Sequence, residues 1–145
     1  MSAENVELVR SIQPGPEVDL VALFADAGAA RQADVLEPLL DPGFECAIHL
    51  FPGAPATVYS GLDGLRSCWR DWLAPWASYR TEIEELIDAG ERVVVIVRDY
   101  GRREQGASEV EMMGATVYTA QGGRIIRAEF YADRAEGLAS VGLAE

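Results

Sequence analysis

Apolar and polar positions change rhythm along this chain. Much of the first half carries apolar residues at helical spacing, whereas the last third falls into long strand-like runs. Three of those runs, RVVVIVRDYGR, EVEMMGATVYTA and GRIIRAEFYAD, follow one another with turn-sized gaps and predict an antiparallel meander. Each strand carries an apolar face (Val93, Val95 and Val97; Met113, Ala115 and Val117) that water cannot cover. The N-terminal half supplies the cover. Val6, Val9 and Ile12 share one face of a helix from Glu4 to about Ile12, with Ser2 as its cap and Pro14-Gly15-Pro16 as its stop. A second helix from about Glu17 carries Val18, Val21, Leu23 and Phe24 and fades into the small residues 25–30. Asp34 and Glu37 have capping-box spacing for a short helix containing Leu36, Leu39 and Leu40.

Asp41-Pro42-Gly43 turns the chain into a strand from Phe44 to about Leu50, followed by a proline-rich loop and a short strand through Val58 and Tyr59. The helix that follows places Leu65, Cys68, Trp69, Trp72, Leu73 and Trp76 at offsets 0, 3, 4, 7, 8 and 11, one broad apolar stripe. Beyond Pro75, Tyr79 to Asp88 reads as a strand with one side in water, and Ala89-Gly90 as its turn. Asp133 and Glu136 form a capping box for a closing helix. The expected fold class is α+β: a curved antiparallel sheet wrapped over N-terminal helices, enclosing an apolar pocket, in a single domain spanning 1–145.

Composition narrows the function. A net charge of −12, from 24 acidic and 12 basic residues, argues against nucleic acid and anionic membrane surfaces as partners and leaves a neutral or cationic small ligand open, with the apolar pocket pointing to a hydrophobic small molecule. The opening MSAENVELVR has no signal-peptide pattern and no run approaches a membrane span, so a cytoplasmic protein is expected. Cys46 and Cys68 lack metal spacing and read as buried reduced thiols. One histidine, no cysteine cluster and no phosphate-binding glycine loop predict that no metal or organic cofactor is used.

The segments ENVELVR, DPGFE, YSGLDGLRSCWRDWL, ELIDAGERVVVIVR and GGRIIRAEFYADRAEGL, in this order and spacing, resemble the SnoaL-like branch of the nuclear transport factor 2-like superfamily. The resemblance spans nearly the whole chain, with extra helical material between Pro14 and Glu37. It implies a cone-shaped fold, a deep apolar pocket and a homodimer. It does not imply one reaction, because relatives include polyketide cyclases, ketosteroid isomerases, limonene-type epoxide hydrolases and non-catalytic binders. The position matching the buried acid of the isomerases is Ala115, and that matching the carboxylate base of the epoxide hydrolases is Phe130. Neither mechanism transfers intact.

Other residues are therefore the candidates. His49, near the end of the first strand, is a proton acceptor needing no tuning at neutral pH. Glu129 and Tyr131 share a face of the last strand, and Glu111 shares one with Met113; a buried glutamate there would have a raised pKa. Arg98 and Tyr100 share a face opposite Asp99, and either polarise a ligand oxygen or belong to a dimer interface. Trp69, Trp72 and Trp76 are core residues that also offer an apolar wall to a ring-shaped ligand. The expected catalytic set is His49, Glu129 and Glu111; the expected ligand-binding set is Trp69, Trp72, Trp76, Arg98, Tyr100, Met113 and Tyr131. Two readings follow: a small cofactor-independent enzyme of the cyclase or isomerase type, or a binding protein of the same fold, with an altered epoxide hydrolase as a further alternative.

Overall fold

The computed structural model describes residues 2–25, 31–32 and 34–143, and for Ser2 the backbone alone. The cap expected from the Ser2 side chain and the fading of the second helix over 26–30 lie outside the described residues. The elements are α1 (Ser2–Ser11), α2 (Leu20–Leu23), a 3-10 turn (Glu37–Leu39), β1 (Leu40–His49), β2 (Thr57–Ser60), α3 (Gly61–Leu73), β3 (Ser78–Ala89), β4 (Arg92–Arg102), β5 (Val110–Gln121), β6 (Arg124–Tyr131) and α4 (Arg134–Ala139). The six strands form one curved, open sheet in the order β2-β1-β6-β5-β4-β3. Its pairs are antiparallel except β1 with β6, which run parallel. That parallel pair brings the early strand against the end of the meander, joining the two halves of the chain.

The helical segments before β1 depart from their expected bounds for local reasons. Asp19 caps α2 through its side chain, so the helix starts at Leu20 and not near Glu17. Asp34 is itself helical, as are residues 31–32, so it does not stand ahead of a helix as its cap. β1 begins at Leu40, ahead of the expected Phe44, and absorbs Asp41-Pro42-Gly43 as an irregularity in its pairing with β6. At the other end, Asp133 accepts a hydrogen bond from Glu136 N at 3.0 Å, while Glu136 Oε1 is buried with no partner among the described residues, so only half of the capping box closes.

Strand parity sorts the sheet into two faces. On the inner face Val93, Val95 and Val97 pack with Val9 of α1 and with Leu65 and Cys68 of α3. On the outer face Val94, Ile96, Ala115, Val117 and Tyr131 are covered by Leu138 of α4. The two apolar sets expected to share a cover are therefore on opposite sides. The β4–β5 register sets Val93 opposite Tyr118, Val95 opposite Thr116 and Val97 opposite Gly114, and directly opposed residues share a face. Met113, Ala115 and Val117 consequently look outward.

Two glycines are dictated by geometry. Gly61 opens α3 at φ +71°, a region that side chains resist. Gly101 lies under the Trp76 ring, where a Cβ would come within 2.4 Å of it. Among the described residues no helix is long and apolar enough to cross a membrane. Cys46 and Cys68 are free and buried in the core.

Candidate functional site

Between the inner face of the sheet and the helices lies a cavity of about 380 Å³. α3 contributes Trp69 and Trp72, the segment around α2 contributes Leu20 and Phe24, and β6 contributes Phe130. Phe24 stacks on Trp69 with ring centres 5.1 Å apart, and Phe130 meets the same indole edge-on at 5.4 Å. Much of the wall is thus aromatic, with rigid side chains that hold their shape at low entropy cost. Asp19 secures this side by accepting hydrogen bonds from Val21 N and from Tyr79 N of β3, at 3.1 and 3.0 Å.

Asp99 is the one carboxylate among the described residues lining the cavity, and no arginine lines it. Its place follows from β4: Val93, Val95 and Val97 point inward, and position 99 continues their parity. The β3–β4 register sets Thr81 directly opposite Asp99, two residues from Tyr79 on the same face. Thr81 Oγ1 donates to Asp99 Oδ1 at 2.5 Å, and Tyr79 Oη donates to Asp99 Oδ2 at 2.5 Å. Trp72 Nε1 in turn donates to Tyr79 Oη at 3.0 Å, which fixes the phenol so that its single proton points to Asp99.

The electrostatics follow from that arrangement. Burial raises the Asp99 pKa, and the two hydroxyl donors offset only part of the rise. Among the described residues no cation pairs with it. Tyr79 is pushed well above the ordinary tyrosine range by burial first, then by the charge of Asp99 and the bond to it. Tyr118, on the same inner face, is pushed up to about 12 by burial. Each carboxylate oxygen retains a further lone pair. The result is a carboxyl group with raised proton affinity, oriented by neutral donors against an aromatic cavity. Such a group can accept or return a proton, or hold a polar group of a bound ligand. Among the described residues no three His, Cys, Asp or Glu side chains gather as metal ligands would.

The sequence pattern of the SnoaL-like domain family matches residues 21–128. The chain belongs to the SnoaL-like family. No curated protein matches it in sequence. Among solved structures it is similar to a protein from Jannaschia sp. CCS1 provisionally named a SnoaL-like polyketide cyclase, with TM-score 0.61, 20% identity, and 88% of this chain and 84% of that one covered. An NTF2-like protein of unknown function from Burkholderia pseudomallei K96243 gives TM-score 0.62 and 19% identity over 96% of this chain and 98% of that one. TerC, co-crystallised with polyporic acid, gives TM-score 0.61 and 16% identity over 88% and 89%. At such identities these likenesses establish the fold alone.

Within this SnoaL-like fold the three residues expected to be catalytic stand on the outer face. His49 Nε2 lies 3.2 Å from Glu129 Oε1, and its ring stacks on Tyr131 at 4.1 Å. Glu129 also meets Arg127 Nε at 3.6 Å. The pairing that brings them together is the β1–β6 register, in which Ala47 opposes Glu129 and His49 opposes Tyr131. The cavity takes the other parity, Ala128 and Phe130. Glu111 is likewise outside the cavity, 3.2 Å from Arg98 on the outer face.

The ligand-binding set divides in the same way. Trp69 and Trp72 line the cavity; Trp76 packs on Tyr79 and over Gly101 instead. Arg98 is held by Glu84 and Glu111, Tyr100 lies under the Arg80 guanidinium at 3.9 Å, and Met113 is exposed. None of these three borders the cavity. Tyr131 borders it while its ring packs outward with Leu138. The sequence reading passed over Tyr79, Thr81 and Asp99. Their signal was the parity of β4, which carries Val93, Val95 and Val97 on to Asp99, together with the Gly90 turn, which folds Tyr79 and Thr81 back onto it.

Proposed function

We propose that this protein is a small cofactor-independent enzyme of the cyclase or isomerase type that acts on a hydrophobic molecule in its cavity, with Asp99 as general base. The observation carrying this reading is Asp99 itself, a carboxylate of raised proton affinity with no cationic partner among the described residues, facing aromatic walls. In the reaction a C–H bond next to a carbonyl breaks, its proton passes to Asp99, and its electron pair enters the enolate. The carboxylic acid then returns the proton to the carbon skeleton, so the group ends as it began. Tyr79 and Thr81 hold the carboxylate in one orientation, and Trp72 holds Tyr79. That TerC, a protein of similar fold, was co-crystallised with polyporic acid supports a small organic ligand for this chain.

A second reading, a binding protein that does not turn its ligand over, draws support from the hydrogen bonds that both Asp99 oxygens already accept. The experiment is a screen of cyclic ketones, polyketide-like esters and epoxides, the last covering an epoxide hydrolase-like reaction, followed by Asp99→Asn on whichever reacts. The enzyme reading expects kcat to fall by roughly 10²–10⁴-fold. Full turnover by the Asn variant overturns it, and binding without turnover of any such compound favours the second reading. Homodimerisation is proposed alongside, on the family resemblance; sedimentation showing only monomer at micromolar concentration would contradict it.

A further inference from the structure

All twelve basic residues of this acidic chain are arginines. Most of them are committed: Arg80, Arg98, Arg127 and Arg134, for example, each donate a hydrogen bond to a glutamate. Arg66 and Arg70 differ. They stand one turn apart on α3, half and three-quarters exposed, and make no hydrogen bond among the described residues. Their nearest carboxylates are Asp63 at 4.0 Å from Arg66 and Asp71 at 3.5 Å from Arg70, and Asp71 already accepts from Tyr59 Oη at 2.7 Å. Loose, exposed pairs of this kind contribute little and are readily exchanged for a better acceptor.

These two arginines line a groove of about 280 Å³ together with Val21, Phe24, Leu73 and Trp76. Phe24 also lines the cavity, so the groove adjoins it. Arg103 adds a third guanidinium, 4.8 Å from the centre of the Trp76 ring. A net charge of −12 repels anions at long range, but that repulsion is screened beyond about 8 Å in physiological salt, whereas guanidinium forks act at contact.

We propose that the groove binds the anionic group, a carboxylate, phosphate or sulfonate, of the same ligand whose apolar part occupies the cavity. The ligand class is then an amphipathic aromatic or polycyclic anion, its charge held outside by Arg66 and Arg70 and its rings inside against Trp69 and Phe130. An interior lined by Asp99 and no arginine cannot itself take the anion, which is why the charge must stay at the groove. This deepens the cavity reading above and rests on it.

The test uses two fluorescent probes that differ only by a sulfonate: 8-anilinonaphthalene-1-sulfonate and the neutral N-phenyl-1-naphthylamine. Both are titrated into the wild-type protein and into the Arg66→Gln/Arg70→Gln variant. The proposal expects the variant to lose about tenfold in affinity for the sulfonated probe, as for the loss of charge-assisted contacts, while the neutral probe binds as before. Unchanged affinity for the sulfonate, an equal loss for both probes, or no binding of the sulfonate by wild type each overturns it. Neutral binding without any sulfonate preference sinks the groove and spares the cavity; failure of both probes sinks both. The first outcome leaves Asp99 as base to the turnover assay, whereas the second removes the cavity in which it would act.

Discussion

Arg98 and Asp99 are neighbours in β4 and could hardly be in more different surroundings. Arg98 looks outward, is paired with Glu84 and Glu111, and shares Glu84 with Arg134, while Arg80 and Arg127 have carboxylate partners of their own. Asp99 looks inward, has neutral donors only, and is desolvated. A sheet one residue thick separates a surface where charge is satisfied and inexpensive from an interior where a single charge is kept under strain. Pairing keeps Arg98 protonated and Glu84 deprotonated, whereas the desolvated acid is the group poised to exchange a proton. Chemistry should follow the inner face, however rich the outer one is in residue types that resemble a catalytic set.

The sharpest way to break this contrast is to alter one face at a time. Asp99→Asn should lower turnover of any substrate found by roughly 10²–10⁴-fold, while His49→Gln should leave it near wild type, both read as kcat in steady-state assays. The reverse order of effects would move the site to His49 and Glu129. Next in size is Gly101→Ala, whose new methyl would collide with Trp76; a loss of about 1–3 kcal/mol is expected in denaturant unfolding. Trp72→Phe removes the N–H that holds Tyr79 and should cost about 1 kcal/mol of stability, with a fall in kcat larger than any change in KM if the phenol positions the base. Smallest should be Arg98→Gln, whose exposed pairs are worth little, leaving turnover and melting temperature close to wild type.

Asp99 also links the site to stability, with a definite sign. Because its folded-state pKa is raised, the native state binds a proton more tightly than the unfolded chain. Wild-type stability should therefore fall as pH climbs from about 3.9, the unfolded value, through the raised native one. Asp99→Asn should lack that decline, so the variant should gain on wild type across the window and keep the advantage above it. Parallel stability–pH curves for the two proteins would show that the buried carboxyl carries no such strain.

Much of the fold was legible in residue order. The run from Arg92 to Arg102 is β4 to the residue, and the stripe from Leu65 to Leu73 is the buried side of α3, because period-2 and period-3.6 patterns report burial directly. The helix starts before β1 were not, since the Asp19 cap depends partly on a contact with Tyr79 sixty residues away. The site was legible in part. Parity within β4 separated Asp99 from Arg98 and Tyr100, and Trp69 and Trp72 stood out as a wall. What failed was relating the parity of one strand to another: choosing Met113, Ala115 and Val117 as partners of Val93, Val95 and Val97 needs the β4–β5 register, which the loop over 103–109 sets and composition does not. The same gap hid the placing of His49 against Glu129, which comes from the parallel β1–β6 pair.

Titrating Asp99 itself shows whether the inner face holds a desolvated carboxyl able to exchange a proton. The side-chain carboxyl ¹³C resonance of Asp99, identified by its disappearance in Asp99→Asn, can be followed by NMR from acid to neutral pH. The expected midpoint lies above the ordinary aspartate value of about 3.9. A midpoint at or below that value would mean that hydrogen bonding outweighs burial and that the inner face holds no such proton-exchanging group.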